Sequence, residues 1–263
     1  SHVDIFVSGH THQALQTPLV MKENGALIVQ AGSYAEYVGR LELIIDDVSG
    51  NIIQSSGRLV PMNHDEIPVD AVLQSMFLEQ ERVLAPEASR KVANVPQTLT
   101  YANLAYLGAE GIRQSADVDI GFCHLSQIIR ANLPAGVADI NAIFRTGGQR
   151  GYEIVAATLT GREIEAYVEG LANTTWGNTH WSGFRGRYEK NGRKRSFKSD
   201  LKRSRKYRVA MPRKEWDTRF QRYIRQNRDS AVIRRLLDIQ PEKSDTTFTR
   251  GVVAILEDSD RSP

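Results

Sequence analysis

The sequence predicts an α+β fold: a strand-rich opening, a linker helix and a separate mixed α+β domain. Three observations carry this. Residues 1–60 fall into short apolar runs punctuated by Gly, Asn and Asp, as strands joined by tight turns do. Residues 69–84 instead repeat apolar positions at helical spacing. From Val92 onward strand-like and helix-like stretches alternate, and no apolar run approaches the roughly 18–20 residues needed to span a bilayer.

Taken in order, Val3–Val7 is an apolar run closed by Ser8-Gly9. Leu19–Met21 and Ala26–Gln30 flank Glu23-Asn24-Gly25, a hairpin signal because Asn-Gly accepts the positive φ of a tight turn. Arg40–Asp46 and Ile52–Leu59 flank a second turn at Ser49-Gly50-Asn51. Pro61 to Pro68 is polar and turn-rich. Val69–Leu84 then reads as a helix, with Asp65 or Asp70 placed to cap it, ending before Pro86. Leu99–Gln114 has a helical pattern and Val118–Cys123 reads as a buried strand. Thr160-Gly161-Arg162-Glu163 is a capping box opening a helix. Tyr207–Met211 reads as a strand, Trp216–Leu237 as an Arg-rich helix, and Thr246–Leu256 as a terminal strand. These signals divide the chain into residues 1–60, a linker helix within 61–91, a domain over 92–240, and a terminal strand and tail over 241–263.

The composition, 41% hydrophobic and 25% charged, is that of an ordinary globular protein. A single cysteine, Cys123, excludes an intrachain disulfide, and its apolar setting predicts a buried, inert thiol. The chain opens close to a strand-like run, which reads as a truncation point, so the missing leader is silent on compartment. The net charge of +3 hides an asymmetry: residues 181–235 hold 20 Lys and Arg against 5 Asp and Glu. Within this stretch Arg185–Arg208 interleaves with Trp181, Phe184, Tyr188 and Phe197, the ingredients of a nucleic-acid surface. Charge runs are more often solvated faces, and a hairpin turning at Lys190-Asn191-Gly192 beside an acidic neighbour is the preferred reading.

The most chemistry sits in Gly9-His10-Thr11-His12. Neutral imidazoles are good ligands for Zn, Mn or Fe. Two histidines two apart on a regular strand lie about 6–7 Å apart, so a turn after the strand serves adjacent metals better. Gly9 is expected to supply the freedom for that turn. A lone His-X-His is more often surface polarity than a ligand pair, and His2, His64, His124 and His180 have no spaced partner. The context changes the balance. An apolar strand, Ser8-Gly9-His10-Thr11-His12-Gln13, then Val29-Gln30-Ala31-Gly32-Ser33-Tyr34, then Gly39-Arg40-Leu41-Glu42-Leu43 form one ordered pattern.

This pattern resembles the end of the calcineurin-like metallophosphoesterase domain of bacterial 5'-nucleotidases and 2',3'-cyclic-nucleotide phosphodiesterases. The resemblance implies that residues 1–60 are the closing strands of an α/β/β/α sandwich. It implies two divalent metal ions, Zn, Mn or similar, with His10 on one and His12 on the other. The family's further ligands, an Asp-X-His, an Asp of a Gly-Asp pair, an Asn of an Asn-His pair and another His, would precede Ser1. Residues 94–222 resemble, more loosely, the family's C-terminal domain, which binds the base and sugar of the substrate. Leu159-Thr160-Gly161 and Tyr207-Arg208-Val209-Ala210 carry that likeness, together with Ile129-Arg130. The pocket motifs depart from it. Gln127-Ile128 stand where two glycines of a triplet are expected, Gln149-Arg150-Gly151-Tyr152 replaces Pro-Phe-Gly-Asn, and Lys214 stands in place of a base-stacking Phe. Each missing stack forfeits about 1–3 kcal/mol.

The resemblance therefore implies a metal-dependent phosphoester hydrolase acting on nucleotides or cyclic nucleotides, with this chain alone lacking most of the ligands. Arg130, Asn103 and Tyr152 are the candidate substrate-binding residues, Arg130 foremost because a guanidinium forks onto phosphate oxygens. Asn103 also reads as an ordinary helix residue. The sequence leaves the compartment open; the resemblance implies a periplasmic or extracellular setting. Two other readings stay open: a non-catalytic anion-binding remnant, and a diverged hydrolase whose substrate is not a nucleotide.

Overall fold

The computed structural model describes residues 3–62, 67–174 and 179–261, and divides into two compact units, Ser1–Glu79 and Gln80–Pro263. His2, His64 and Asp65 lie outside the described residues.

The first unit is built on β1 (Ile5–Val7), β2 (Leu19–Val20), β3 (Leu27–Val29), β4 (Tyr37–Ile45) and β5 (Ile52–Pro61). Strand β3 is central, parallel to β1 and antiparallel to β2. The expected Asn-Gly turn closes the β2–β3 hairpin, with Gly25 at φ +73° and Asn24 Oδ1 accepting the Ala26 N–H. Strands β4 and β5 form an antiparallel ribbon whose turn has Gly50 at φ +71°. Helix α1 (Ala71–Leu84) follows, capped by Asp70, whose Oδ1 accepts the N–H groups of Val72 and Leu73. Its apolar stripe, Val72, Leu73, Met76 and Phe77, is exposed.

The second unit opens with β6 (Lys91–Val95), α2 (Tyr101–Ser115), β7 (Ile120–His124), α3 (Leu125–Ile128), β8 (Gly136–Asp139) and α4 (Ile140–Ile143), which runs into a π turn over Phe144–Gly148. Then come β9 (Ile154–Thr160), α5 (Gly161–Ala172), β10 (Thr179–Ser182), β11 (Gly186–Asn191), β12 (Lys194–Ser199) and β13 (Lys206–Pro212). Helix α6 (Arg213–Glu215) continues through a π turn, Trp216–Phe220, into α7 (Gln221–Gln226); a 3-10 turn over Arg234–Asp238, β14 (Glu242–Ser244) and α8 (Phe248–Arg261) close the chain. A five-stranded sheet in the order β10-β7-β13-β9-β14 separates two apolar cores. Both helix starts use capping boxes: Thr160 with Glu163 as expected, and Thr100 with Asn103. Glu163 also takes a forked bond from Arg235, which fastens the 234–238 turn onto α5.

Two sequence expectations are corrected. The stretch read as a terminal strand over Thr246–Leu256 is helix α8, preceded by the short strand β14. The β-branched run Val252-Val253 suggests a strand, but the buried positions Phe248, Val252 and Leu256 recur every four residues, and Thr247 Oγ1 accepts the Arg250 N–H at the first turn. The long helix over Trp216–Leu237 stops at Gln226. Asn227 ends it, its side-chain amide donating to the Tyr223 carbonyl (2.9 Å), and a turn carries the chain onward. Cys123 is fully buried in β7, and burial pushes its thiol pKa up.

Candidate functional site

The His10–His12 loop emerges from the end of β1, beside its parallel neighbour β3. It is stitched there by backbone bonds: Ser8 N–H to the Val29 carbonyl (2.8 Å), Leu15 N–H to the Gln30 carbonyl (3.0 Å) and Gly32 N–H to the Gln13 carbonyl (3.2 Å). The buried Gln30 carboxamide reaches into the loop and exchanges hydrogen bonds with the Thr11 hydroxyl (2.8 and 3.2 Å). Thr11 is thus turned toward the protein, and its two flanking histidines lie exposed.

The turn is not made where the sequence suggests. Gly9 lies outside the positive-φ region, whereas His10 and His12 sit at φ +67° and +60°. Tyr34 and Ala35, in the facing loop, sit at +57° and +56°. Left-handed backbone at a non-glycine residue costs on the order of 1–3 kcal/mol, so the surrounding bonds must hold four such residues in place. Side chains rather than glycine flexibility therefore mark this loop. The Tyr34 ring meets the His12 ring edge-on, with centroids 5.5 Å apart and planes at 79°. Because a Cβ on Gly9 meets nothing within 4 Å, Gly9→Ala is expected to leave stability unchanged or raise it by about 0.4–1 kcal/mol, measured by urea unfolding.

The imidazoles are the right type of ligand for a two-metal phosphoesterase centre, but their number falls short. No group of three or more His, Cys, Asp or Glu side chains converges among the described residues. Two exposed histidines do not by themselves hold a pair of metal ions.

In the second unit the topology points to one place. Strands β7 and β13 are parallel neighbours in the sheet, so their C-terminal ends lie side by side and release α3 and α6 from the same edge. Open parallel α/β sheets take ligands in crevices outside their strands' carboxyl ends, and in this mixed sheet β7 and β13 are the one parallel pair among the described residues. Here the crevice is spanned. Gln127, standing where glycine was expected, accepts a 3.2 Å hydrogen bond from the Thr218 hydroxyl across it. A groove of about 510 Å³ beside it is lined by Asp217, Thr218, Arg219, Arg222, Arg225 and Gln226. The arginines at 219, 222 and 225 recur every three residues along one helical face, a spacing visible in the sequence.

Beneath the crevice lies Glu215, fully buried. Its Oε1 accepts the hydroxyls of Thr179 (2.6 Å) and Tyr167 (3.0 Å), and its Oε2 accepts the His124 N–H (2.7 Å). Burial raises its pKa to about 7 despite these bonds. Burial likewise lowers the His124 pKa to about 3, helped by the Arg219 and His180 charges.

The three substrate candidates fare differently. Arg130 follows α3, its N–H donating to the Thr146 carbonyl (2.6 Å) and its carbonyl accepting the Tyr101 hydroxyl (2.7 Å), so the backbone that carries it is fixed. Asn103 is occupied at the start of α2, where its Oδ1 accepts the Thr100 N–H (3.0 Å) and hydroxyl (2.7 Å). Tyr101 brings the start of α2 to the Arg130 loop. Tyr152 is exposed on the turn before β9, and no hydrogen bond or ion pair joins it to either residue among the described residues.

No family model matches the chain. Among curated proteins it is 28% identical over 126 residues to endonuclease YhcR of Bacillus subtilis, covering 45% of this chain and 10% of that protein. It is 27% identical over 172 residues to the uncharacterized metallophosphoesterase YunD of the same organism, covering 63% of this chain and 36% of that protein. Among solved structures, a 5'-nucleotidase precursor from Thermus thermophilus superposes with a TM-score of 0.70 at 20% identity, covering 98% of this chain and 57% of that one. The Thermus thermophilus sulfate thiohydrolase SoxB superposes with a TM-score of 0.67 at 15% identity, covering 98% of this chain and 48% of that one. The chain thus spans about a tenth and about a third of these curated relatives and about half of each structure. It is built on the fold of the 5'-nucleotidase-type metallophosphoesterases, its mixed α+β second unit matching their C-terminal domain.

Proposed function

We propose that this chain is part of a metal-dependent phosphoester hydrolase of the 5'-nucleotidase type, acting on nucleotides or cyclic nucleotides. The observation that carries the reading is the loop at His10 and His12: two imidazole positions in strained left-handed backbone, flanking a threonine tied to a buried glutamine. In this reading each histidine serves one of two divalent ions, Zn, Mn or similar. The other ligands come from polypeptide outside these 263 residues, consistent with the greater length of the relatives. Such ions, when bound, activate a water as nucleophile and polarise the phosphoryl oxygens. Residues 1–60 then complete the hydrolase domain, the linker helix lies within 61–91, and the second unit supplies the substrate's anion contacts through Arg130. A periplasmic or extracellular setting goes with this reading. Among the described residues no helix is long and apolar enough to cross a membrane.

A second reading, hydrolysis of a phosphoester that is not a nucleotide, is favoured by one contact. Gln127 bridging to Thr218 narrows the crevice where a base would enter, and Lys214 replaces an aromatic stacking partner. The likeness in fold to SoxB, by name a sulfate thiohydrolase, supports this second reading. Assaying the protein expressed from its complete reading frame against nucleoside monophosphates, 2',3'-cyclic nucleotides and sugar phosphates separates the two. Nucleotide turnover at kcat/KM at least tenfold above the sugar phosphates supports the first reading. Turnover confined to the sugar phosphates establishes the second. No turnover of any of them, with metal supplied, contradicts both and leaves a binding remnant.

A further inference from the structure

The hairpin β11–β12 turns at Gly192, φ +61°, as its sequence predicts. Residues 185–208 hold 12 Lys and Arg, seven of them Arg, against two acidic residues. The aromatic rings interleaved with them are engaged with each other: Phe197 is buried, and the half-buried Trp181, Phe184 and Tyr188 pack around it with centroids 5.1–6.2 Å apart.

This hairpin is held rigidly from behind. The Asn173 side chain, past the end of α5, pairs with the backbone of Arg195 in both directions, donating to its carbonyl (2.6 Å) and accepting its N–H (2.8 Å). Glu169 accepts the Phe197 N–H (2.8 Å) and Glu165 the Ser199 hydroxyl (2.8 Å). The acidic neighbour expected from the sequence is present but insufficient. Glu189 pairs with Arg187 (3.1 Å) and Lys198 (2.7 Å), Glu165 with Arg203 (3.4 Å), Asp119 with Arg205 (3.9 Å) and Glu242 with Arg208 (3.2 Å). Arg185, Lys190, Arg193, Arg195, Lys202 and Lys206 are exposed and make no ion pair among the described residues. At the hairpin's open end the paired segments Arg185-Gly186-Arg187 and Lys198-Ser199-Asp200 together line an open hollow of about 500 Å³ on the ribbon's face. Asp200 is engaged there, accepting the Arg185 N–H (3.0 Å).

We propose that this face is a docking surface for single-stranded nucleic acid, gripped through its phosphates. The prevalence of arginine favours phosphate, which a guanidinium meets with two parallel hydrogen bonds. A hollow of small-molecule size has room for a nucleotide or two of a single strand. With these rings packed on one another the grip is chiefly on phosphate, so binding is weakly dependent on sequence and steeply dependent on salt. The inference goes beyond the proposed hydrolase and does not depend on the histidine loop.

The test is fluorescence anisotropy of a labelled 20-nucleotide oligo-dT at 50 and 200 mM salt. It compares the unmodified chain, the triple variant Arg185→Ala/Arg193→Ala/Arg195→Ala, which removes three cations that make no ion pair among the described residues, and a charge-matched control, Arg228→Ala/Arg234→Ala/Lys243→Ala. These side chains are exposed, so the variants are expected to fold. Each phosphate contact contributes about −0.7 to the slope of log K against log salt for a single strand. Three contacts therefore weaken binding about 20-fold over that salt range. The triple variant should lose most of that dependence and bind at least tenfold more weakly at 50 mM, with the control unchanged. Equal losses in the triple variant and the control, or binding of a poly-glutamate peptide or of phosphatidylserine vesicles as tight as oligo-dT, would overturn the proposal.

Discussion

Replacing Phe248 by alanine is expected to remove about 3–5 kcal/mol from the stability of the second unit. Phe248 is completely buried at the start of α8, and the surrounding backbone is shaped to its ring. Gly108 of α2, Gly147 of the π turn and Gly151 all face it so closely that a Cβ on any of them would collide with the side chain. Its own N–H donates to the Gly151 carbonyl (2.8 Å), tying α8 to the turn before β9. Helices α2 and α8 also approach where Gly111 faces Gly251 with no room for a Cβ on either. Where its walls are the backbone of Gly108, Gly147 and Gly151, a cavity at Phe248 has little to collapse with, which puts the expected loss in the upper part of the range. Urea unfolding of the wild-type chain and Phe248→Ala measures it; a change under about 1 kcal/mol would show that α8 is not anchored as described.

The second large effect concerns pH. Glu215, buried with a pKa raised from 4.5 to about 7, binds a proton in the folded chain that the unfolded chain has already released. Its contribution is fully present below pH 4.5 and is lost as pH rises to about 7, by about 3 kcal/mol in all. His124, with its pKa lowered from 6.5 to about 3, works in the opposite sense: its contribution is present above pH 6.5 and is lost as pH falls toward 3. Between pH 4.5 and 6.5 the two oppose each other, and the wild-type chain should show little net dependence from this pair. The groups facing Glu215 are the Tyr167 and Thr179 hydroxyls, the His124 backbone N–H and the Arg219 charge. Glu215→Gln keeps one oxygen for the hydroxyls but leaves the His124 N–H without its acceptor, at a cost of about 1–3 kcal/mol. Its stability should then rise with pH from 4.5 to 6.5 as His124 of the unfolded chain loses its proton, the folded one being already neutral. Denaturant midpoints at half-unit pH steps measure both curves; parallel curves would mean that Glu215 does not titrate in this window.

How much of this was legible in the sequence depends on the kind of signal. The Asn24-Gly25 and Asn191-Gly192 turns, the Asp70 cap and the Thr160–Glu163 box are local, each written in three or four adjacent residues. Helix α8 was misread because Val252-Val253 carries strand propensity, whereas the deciding fact, a row of glycines on α2 and elsewhere shaped to Phe248, is spread over more than a hundred residues. The histidine loop was legible as a motif, but its strain was not: the sequence points to Gly9, and the structure puts the left-handed backbone on His10 and His12. The Glu215 network was invisible for the same reason as α8, since its partners Thr179, Tyr167 and His124 come from three separate elements. The arginine stripe 219–222–225 was visible in spacing, and only the parallel ends of β7 and β13 give it a crevice to line.

Elemental analysis of the protein purified from its complete reading frame tests the central claim most directly. The wild-type protein should carry two divalent ions per chain, and His10→Ala and His12→Ala should each lose at least one, with phosphoester hydrolysis falling in step. Two ions retained at full occupancy in both variants would show that these histidines are not part of a metal centre.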